Sequence, residues 1–247
     1  MKLFDLYIRI MKKQVWLYAI YLGLFFLFVA LTFNKAVPAE IAVVSYYRYA
    51  VLALMVLVML SISAVTAVNS NLDLSLRHRA APVRMELVEL TYLGADLLVM
   101  LFWWMLFFWT AVILYGEAAY SVSGLLMAVN LLTVSLLSAA FGFVIGIFAK
   151  GEQSRGIVSS LIALGLPLAG GSVNLGNLGD ETVYMLRSFT PVFWYQKALE
   201  EIALYVGIPT IENMKSYAVH IGIQLIFALM ILTLGMMLDK QRKEMAN

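Results

Sequence analysis

Long apolar stretches separated by short polar ones dominate the pattern of this 247-residue chain. A helix of about 20 apolar residues, rising about 1.5 Å per residue, crosses the roughly 30 Å hydrocarbon core of a bilayer. The pattern predicts six transmembrane spans, at residues 14–33, 46–68, 93–115, 122–149, 156–174 and 216–238. We therefore expect an all-α integral membrane protein with a single transmembrane domain, residues 1–247.

Three segments outside the predicted spans have patterns of their own. In Lys2–Lys13, polar residues recur every three or four positions, which favours an amphipathic helix in the membrane interface over a solvated basic flank. Residues 69–92 form a polar, mainly basic loop. Residues 175–215 are predicted to be extracellular, and an amphipathic pattern from Pro191 predicts a short helix partly sunk in the outer leaflet. Both a lid over an exit and a simple connector fit that helix.

Composition supports a membrane protein. The chain is 63% hydrophobic and 13% charged, whereas soluble domains are about half apolar and a quarter charged. The net charge of +2 implies no nucleic-acid partner, and the absence of cysteine excludes disulfides and thiolate metal sites.

The basic residues predict the orientation of the spans. Twelve of the 17 Lys and Arg residues lie on the side of the two termini: Lys2, Arg9, Lys12, Lys13, Arg77, Arg79, Arg84, Lys150, Arg155, Lys240, Arg242 and Lys243. Five lie opposite: Lys35, Arg48, Arg187, Lys197 and Lys215. By the positive-inside rule, both termini are predicted to be cytoplasmic.

Enzymatic motifs are missing from the sequence. Neither H-E-x-x-H, G-x-S-x-G nor the nucleotide-binding G-x-x-x-x-G-K-[ST] occurs. Glu200 and Glu201, with His220 further on, resemble the glutamate-type intramembrane metalloproteases, but Tyr205 stands where that family needs arginine. We interpret the glutamates as the wet face of a surface helix and His220 as near the outer interface. We expect no catalytic residue, no metal site and no cofactor in this chain.

Polar groups inside the predicted spans are few. Asp96 lies near the cytoplasmic end of the third span, where it is either an interfacial acid or has a specific partner. Asn130 and Gln224 are mildly polar and typically bond a neighbouring helix. Because ionisable groups within spans mark proton or ion pathways, their scarcity favours an energy source outside the membrane.

Small residues predict close helix packing. Ser138, Gly142 and Gly146 recur every four residues on the fourth span, which suits a contact within the chain or a dimer seam. In the fifth span, Pro167 predicts a kink, and Gly170 with Gly171 predicts an early end.

Aromatic residues crowd the third span. They fit lipid-facing bulk and core packing, or a greasy wall for an amphipathic substrate. On the second interpretation, the possible substrate path comprises Phe102, Trp103, Leu106, Trp109 and Asn130.

Taken together, these features resemble the membrane subunit of type-2 ABC exporters, the ABCG-like permeases, over nearly the whole chain. The resemblance rests on the interfacial helix, six spans, a Gly-rich fourth and fifth pair and Pro191…Trp194 before the last span. It also rests on Ala81-Pro82-Val83-Arg84, followed by Glu86, between spans two and three. The sequence departs from the family in lacking a Gly-Thr upstream, where Leu74-Ser75-Leu76-Arg77 stands, and a Lys entering span three, where Tyr92 and Asp96 are nearby.

The resemblance implies partners and a coupling site. Two separate ATPase subunits, binding ATP and Mg, would dock below a pair of permeases made of two copies or of this chain and a similar one. The implied coupling residues are Leu76, Arg77, His78, Arg79, Pro82, Arg84 and Glu86. The rival classes are a self-standing channel or carrier and a non-transporting membrane assembly or sensor subunit.

Overall fold

The computed structural model describes residues 12, 15–32, 37–69, 85–149, 151–171, 181–203 and 210–245. Apart from short turns, these residues are helical, and the all-α prediction is confirmed for them. The helices are α1 (Val15–Thr32), α2 (Ala39–Asn69), α3 (Met85–Tyr115), α4 (Glu117–Tyr120), α5 (Val122–Phe148), α6 (Glu152–Ala169), α7 (Glu181–Ser188), α8 (Pro191–Ala203) and α9 (Ile211–Met245).

Four of these helices are long and apolar enough to cross a membrane. The qualifying stretches are Ala39–Ala67 in α2, Gly94–Tyr115 in α3, Val122–Phe148 in α5 and Met214–Gln241 in α9. The first and fifth predicted spans correspond to shorter helices: α1 contains the apolar stretch Val15–Leu27, and α6 has 18 residues.

Helix α2 lies at the centre of the bundle. Its most apolar window is 89% buried, whereas the corresponding window of α9 is 17% buried. It packs against α1, α3, α5 and α6. A sequence that is apolar on all sides, as α2 is from Val51 to Leu60, suits a helix that is surrounded by others.

Local signals determine where several helices begin and end. The carbonyl of Pro38 accepts hydrogen bonds from the amides of Ile41 and Ala42, so α2 begins earlier than the predicted residue 46. Gly116, with a φ of 53°, makes the turn after α3, because glycine adopts a positive φ without steric cost. The hydroxyl of Ser121 accepts from the amide of Gly124 at 3.1 Å and caps α5.

α6 ends before its predicted boundary, whereas α9 extends beyond its own. α6 contains Pro167 and ends at Ala169, before Gly170 and Gly171, as expected for an early end. α9 continues through a charged segment to Met245, beyond residue 238, where the sixth span was predicted to end. Glu, Lys, Arg and Gln are good helix formers, so the helix extends past its apolar part.

Candidate functional site

Helix α8 begins at Pro191, as predicted, and packs inside the bundle, while its position in the outer leaflet stays a prediction. Its buried residues are Pro191, Val192, Phe193, Tyr195, Gln196, Ala198, Leu199 and Ile202. They pack against α2, α5, α6 and α9. Few exposed positions remain on α8 for contact with lipid or water.

A chain of buried side-chain amides ties α8 to α5 and α9. The side-chain amide of Asn130 donates to the backbone carbonyl of Tyr195 at 3.0 Å, and the side-chain amide of Gln224 donates to Asn130 Oδ1 at 2.9 Å. Thr133 Oγ1 lies 3.0 Å from Gln224 Oε1. Asn130 and Gln224 are fully buried. Each amide has a partner, as buried polar groups require. We call Asn130, Thr133, Tyr195 and Gln224 the amide tie.

A second bond joins α8 to the central helix. The hydroxyl of Tyr195 donates to the carbonyl of Tyr47 in α2 at 2.6 Å. Tyr195 is therefore held at both its backbone and its side chain, and α8 is connected to three of the four long apolar helices.

The positions of these contacts give the depth of α8. Tyr47 and Asn130 each lie eight residues after the first residue of α2 and α5, about 12 Å along the helix axis. α8 runs antiparallel to α9: Ser216 donates to Glu201 at 3.2 Å, and the Trp194 and His220 rings lie 5.4 Å apart. The beginning of α8 therefore lies further from the first residue of α9 than the end of α8 does.

The corner between α7 and α8 is held by its own hydrogen bonds. Trp194 Nε1 donates to the carbonyl of Ser188 at 2.8 Å, and the hydroxyl of Thr190 donates to the carbonyl of Arg187 at 2.7 Å. Gly170, at the end of α6, meets this corner so closely that a Cβ there would lie 2.8 Å from the amide nitrogen of Phe193. Non-helical backbone at membrane depth is tolerated where protein surrounds it.

The residues of the predicted substrate path do not share one surface. Trp103 is 4% exposed, and its indole donates to Ser61 Oγ at 2.9 Å, whereas Phe102 and Trp109 are more than half exposed on the outer side of α3. Leu106 is half-buried, and Asn130 belongs to the amide tie. The rings of Phe102 and Trp103 lie 5.2 Å apart, but Phe102 and Trp109 are exposed whereas Trp103 and Asn130 are buried, so the five residues do not line one surface.

The small residues of α5 lie against α2. Ser138 is fully buried, and a Cβ on Gly142 would lie 3.0 Å from the carbonyl oxygen of Met59. A Cβ on Gly146 would lie 2.7 Å from the carbonyl oxygen of Ser63. The close approach that these glycines permit is therefore within the chain.

The adjacent glutamates considered for chemistry have separate side-chain partners. Glu200 forms an ion pair with Lys197 at 2.8 Å, and Glu201 accepts the hydrogen bond of Ser216. Asp96 is half-buried on α3, and its Oδ1 has no hydrogen-bond partner in the described part of the chain. Within that part, no group of acidic, histidine or cysteine side chains could hold a metal ion.

Most of the predicted coupling site falls outside the described residues. Leu76, Arg77, His78, Arg79, Pro82 and Arg84 all do, as does nearly all of the predicted interfacial helix. Glu86 lies in the first turn of α3, and its side chain is also outside the description.

The sequence analysis missed Thr133 and Tyr195. A signal for the site was present, because Asn130 and Gln224 are carboxamides within strongly apolar segments and so need partners inside the protein. The partner of Asn130 on α8 could not be identified, since Tyr195 accepts through a backbone carbonyl, which every residue carries.

The fold is that of an all-helical chain in its described residues, with four helices long and apolar enough to cross a membrane and a short buried helix, α8, before the last of them, as expected of a membrane-embedded protein. No family model, curated protein or solved structure matches the chain.

Proposed function

We propose that this chain is the membrane-spanning permease subunit of an ABC exporter. It moves its substrate out of the cell by alternating access, and separate ATPase subunits supply the energy. The observation that carries the proposal is the buried helix α8, because the Pro191…Trp194 segment before the last span is one of the features on which the resemblance rests. The lack of any nucleotide-binding motif in the sequence supports a separate ATPase.

In the proposed arrangement, α1 and α6 complete six spans, and both termini lie in the cytoplasm of a prokaryotic cell. The substrate pathway lies between two permeases, either two copies or this chain and a similar one. The end of the bundle where α2, α5 and α9 begin is then the outer end, and α8 lies beneath the outer surface.

The connections between α2 and α3 support transmission of force from the loop that joins them. Trp103 donates to Ser61, and the hydroxyl of Tyr46 donates to the carbonyl of Phe107 at 2.7 Å. Both bonds are buried. A displacement of the loop at residues 70–84 would therefore move α2 and α3 together, because these two hydrogen bonds join them. Through the bond from Tyr195 to the carbonyl of Tyr47, the displacement would also reach α8.

The proposed substrate is amphipathic or hydrophobic. A peptide toxin, an antimicrobial peptide or a drug is favoured, and a lipid or lipid-linked glycan is second. The amide tie supports an amphipathic or hydrophobic substrate, because the amides of Asn130 and Gln224 are bonded within the protein and leave few polar groups for a hydrophilic one.

Substitution at the loop tests the coupling. We expect Arg84→Gln and Pro82→Ala to insert normally while substrate-stimulated ATP hydrolysis of the reconstituted complex falls about tenfold, as loss of about 1.4 kcal/mol of docking energy would give. Lys243→Gln removes a basic charge from the same predicted side and is expected to hydrolyse ATP normally. Unchanged coupling in the Arg84 and Pro82 variants would contradict docking at this loop.

Copurification separates the proposal from its rivals. An ATPase subunit that remains bound to the detergent-solubilised chain supports the exporter. Solute flux through liposomes that contain the chain alone, without ATP, would instead indicate a self-standing channel or carrier. Absence of both an ATPase and flux would indicate an assembly or sensor subunit.

A further inference from the structure

His220 is an ionisable side chain within one of the long apolar stretches. It lies six residues after the first residue of Met214–Gln241 in α9. Ionisable residues are rare in segments of this kind, because an apolar environment penalises their charged forms, and those that occur typically have a function. The imidazole is half-buried, and its Nδ1 is buried without a hydrogen-bond partner in the described part of the chain.

The face of α8 that meets His220 carries an aromatic ring and a carboxylate. Trp194 and Glu201 are seven residues apart and so lie on the same face, two turns from each other. The Trp194 ring lies 5.4 Å from the His220 ring, and Glu201 accepts a hydrogen bond from Ser216 at 3.2 Å. Ser216 is one turn before His220 on α9. Because helical side chains point toward the N-terminus, a rotation of the imidazole brings it toward Glu201.

The charged groups that surround His220 are one acid and one base. Glu201 and Lys197 on α8 interact with it electrostatically, with opposite signs. α5, the other helix that packs closely on α9, carries no ionisable side chain. On α9 itself, the nearest charged residues in the sequence, Glu212 and Lys215, are exposed. Within the described residues, Glu201 is therefore the carboxylate that faces His220.

Protonation changes the hydrogen bonds that the imidazole requires. A neutral imidazole has one donor and one acceptor nitrogen, whereas both nitrogens of the imidazolium are donors. A buried charged donor without an acceptor is strongly unfavourable, so the imidazolium cannot keep Nδ1 in its described position. An ionised carboxylate has about four acceptor sites, so Glu201 can accept from the imidazolium while it accepts from Ser216.

We propose that His220 and Glu201 form a proton-sensitive contact between α8 and α9. With His220 neutral, its ring lies on Trp194. On protonation, the ring turns from Trp194 to Glu201, and Nδ1–H donates to the carboxylate. A proton thus replaces an aromatic contact near the start of α8 with an ion pair near its end, while the amide tie holds the middle. This contact does not depend on the exporter function, because both helices belong to this chain.

Fluorine NMR of the chain labelled with fluorotryptophan tests the proposal, because Trp194 is one of only five tryptophans. The purified chain in detergent is titrated from about pH 8 to about pH 5, which spans the usual charge change of histidine. The Trp194 resonance, assigned by its loss in Trp194→Phe, should move in a single one-proton transition. Trp104 is the matched control, since its indole also donates to a backbone carbonyl and its stacking partner, Phe108, does not ionise. The Trp104 resonance should stay in place.

Substitutions identify the proton acceptor and its partner. His220→Gln should abolish the transition of the Trp194 resonance. Glu201→Gln should reduce the change at about pH 6 at least twofold, because a nearby carboxylate favours the charged imidazole. Glu200→Gln, which removes the adjacent carboxylate that pairs with Lys197, should keep most of the change. An unchanged Trp104 resonance in each variant shows that the fold is retained.

A Trp194 resonance that does not move over this pH range would overturn the proposal. So would a transition that persists in His220→Gln, or one that Glu201→Gln and Glu200→Gln reduce equally.

Discussion

Trp103 and Trp109 show how differently two tryptophans of one helix are used. Trp103 packs against Tyr18, with ring centroids 5.5 Å apart, and donates to Ser61 in the central helix. Trp109 is 54% exposed on the opposite side. Both belong to the same aromatic run in the sequence, yet only Trp103 contributes to the core. The hypothesis of an aromatic substrate wall therefore applies to the outer residues Phe102 and Trp109.

Paired substitutions test this division. Trp103→Phe loses a buried hydrogen bond, worth about 0.5–1.5 kcal/mol, together with packing, and should lower the midpoint of thermal unfolding in detergent. Trp109→Phe should change stability by less than about 0.5 kcal/mol, as exposed substitutions usually do. Equal destabilisation by the two variants would contradict the burial assignment. If Trp109 contacts substrate, Trp109→Phe should alter the substrate range at unchanged stability.

At the scale of elements, small residues on α5 allow its backbone to pack closely against α2. Gly146 meets Ser63 and Thr66 of α2, whereas Gly165 of α6 has nothing within 4 Å of the position a Cβ would take. Two glycines in apolar helices thus have different reasons for their presence, and only Gly146 is required by packing.

This contrast predicts opposite effects of the same substitution. Gly146→Ala would force α2 and α5 apart and should destabilise by about 1–3 kcal/mol, as overpacking does. Gly165→Ala should be neutral or should stabilise by about 0.5–1 kcal/mol, because alanine favours the helix. Thermal unfolding of both variants in detergent measures the difference. A Gly146→Ala protein as stable as the unsubstituted chain would show that the α2–α5 contact is looser than described.

At the scale of the whole molecule, the fold combines long apolar helices with a short helix, α8, that is buried among them. The amide tie and Tyr195 join α8 to helices from three parts of the chain. The position of α9 is therefore coupled to that of α5, because the side-chain amide of Gln224 on α9 donates to Asn130 on α5.

Cysteine accessibility tests the proposed orientation of six spans. A membrane-impermeant maleimide should label Lys35→Cys and Glu212→Cys on intact cells or right-side-out vesicles. Lys150→Cys and Lys243→Cys should be labelled only after the membrane is opened, because the basic residues favour the cytoplasmic side. Labelling of Lys150→Cys from outside would contradict the proposal that α5 and α6 are consecutive spans joined on the cytoplasmic side.

The sequence by itself determined the helical class of the described chain and the early end of α6. An apolar stretch of 20 or more residues has few alternatives to a helix, and Gly170 and Gly171 end one locally. It did not determine the start of α2, which was predicted at residue 46, whereas the helix begins at Ala39 and contains Glu40.

Only the tertiary structure decided how far α8 is buried among the other helices and which aromatic residues of α3 are buried. An amphipathic pattern distinguishes one face of a helix from the other, but the depth of α8 depends on which carbonyl Asn130 reaches and which one Tyr195 reaches. Those partners lie 65 and 148 residues away along the chain. The physical reason is that an apolar side chain packs equally well against lipid or protein, so its sequence pattern alone does not distinguish Trp103 from Trp109.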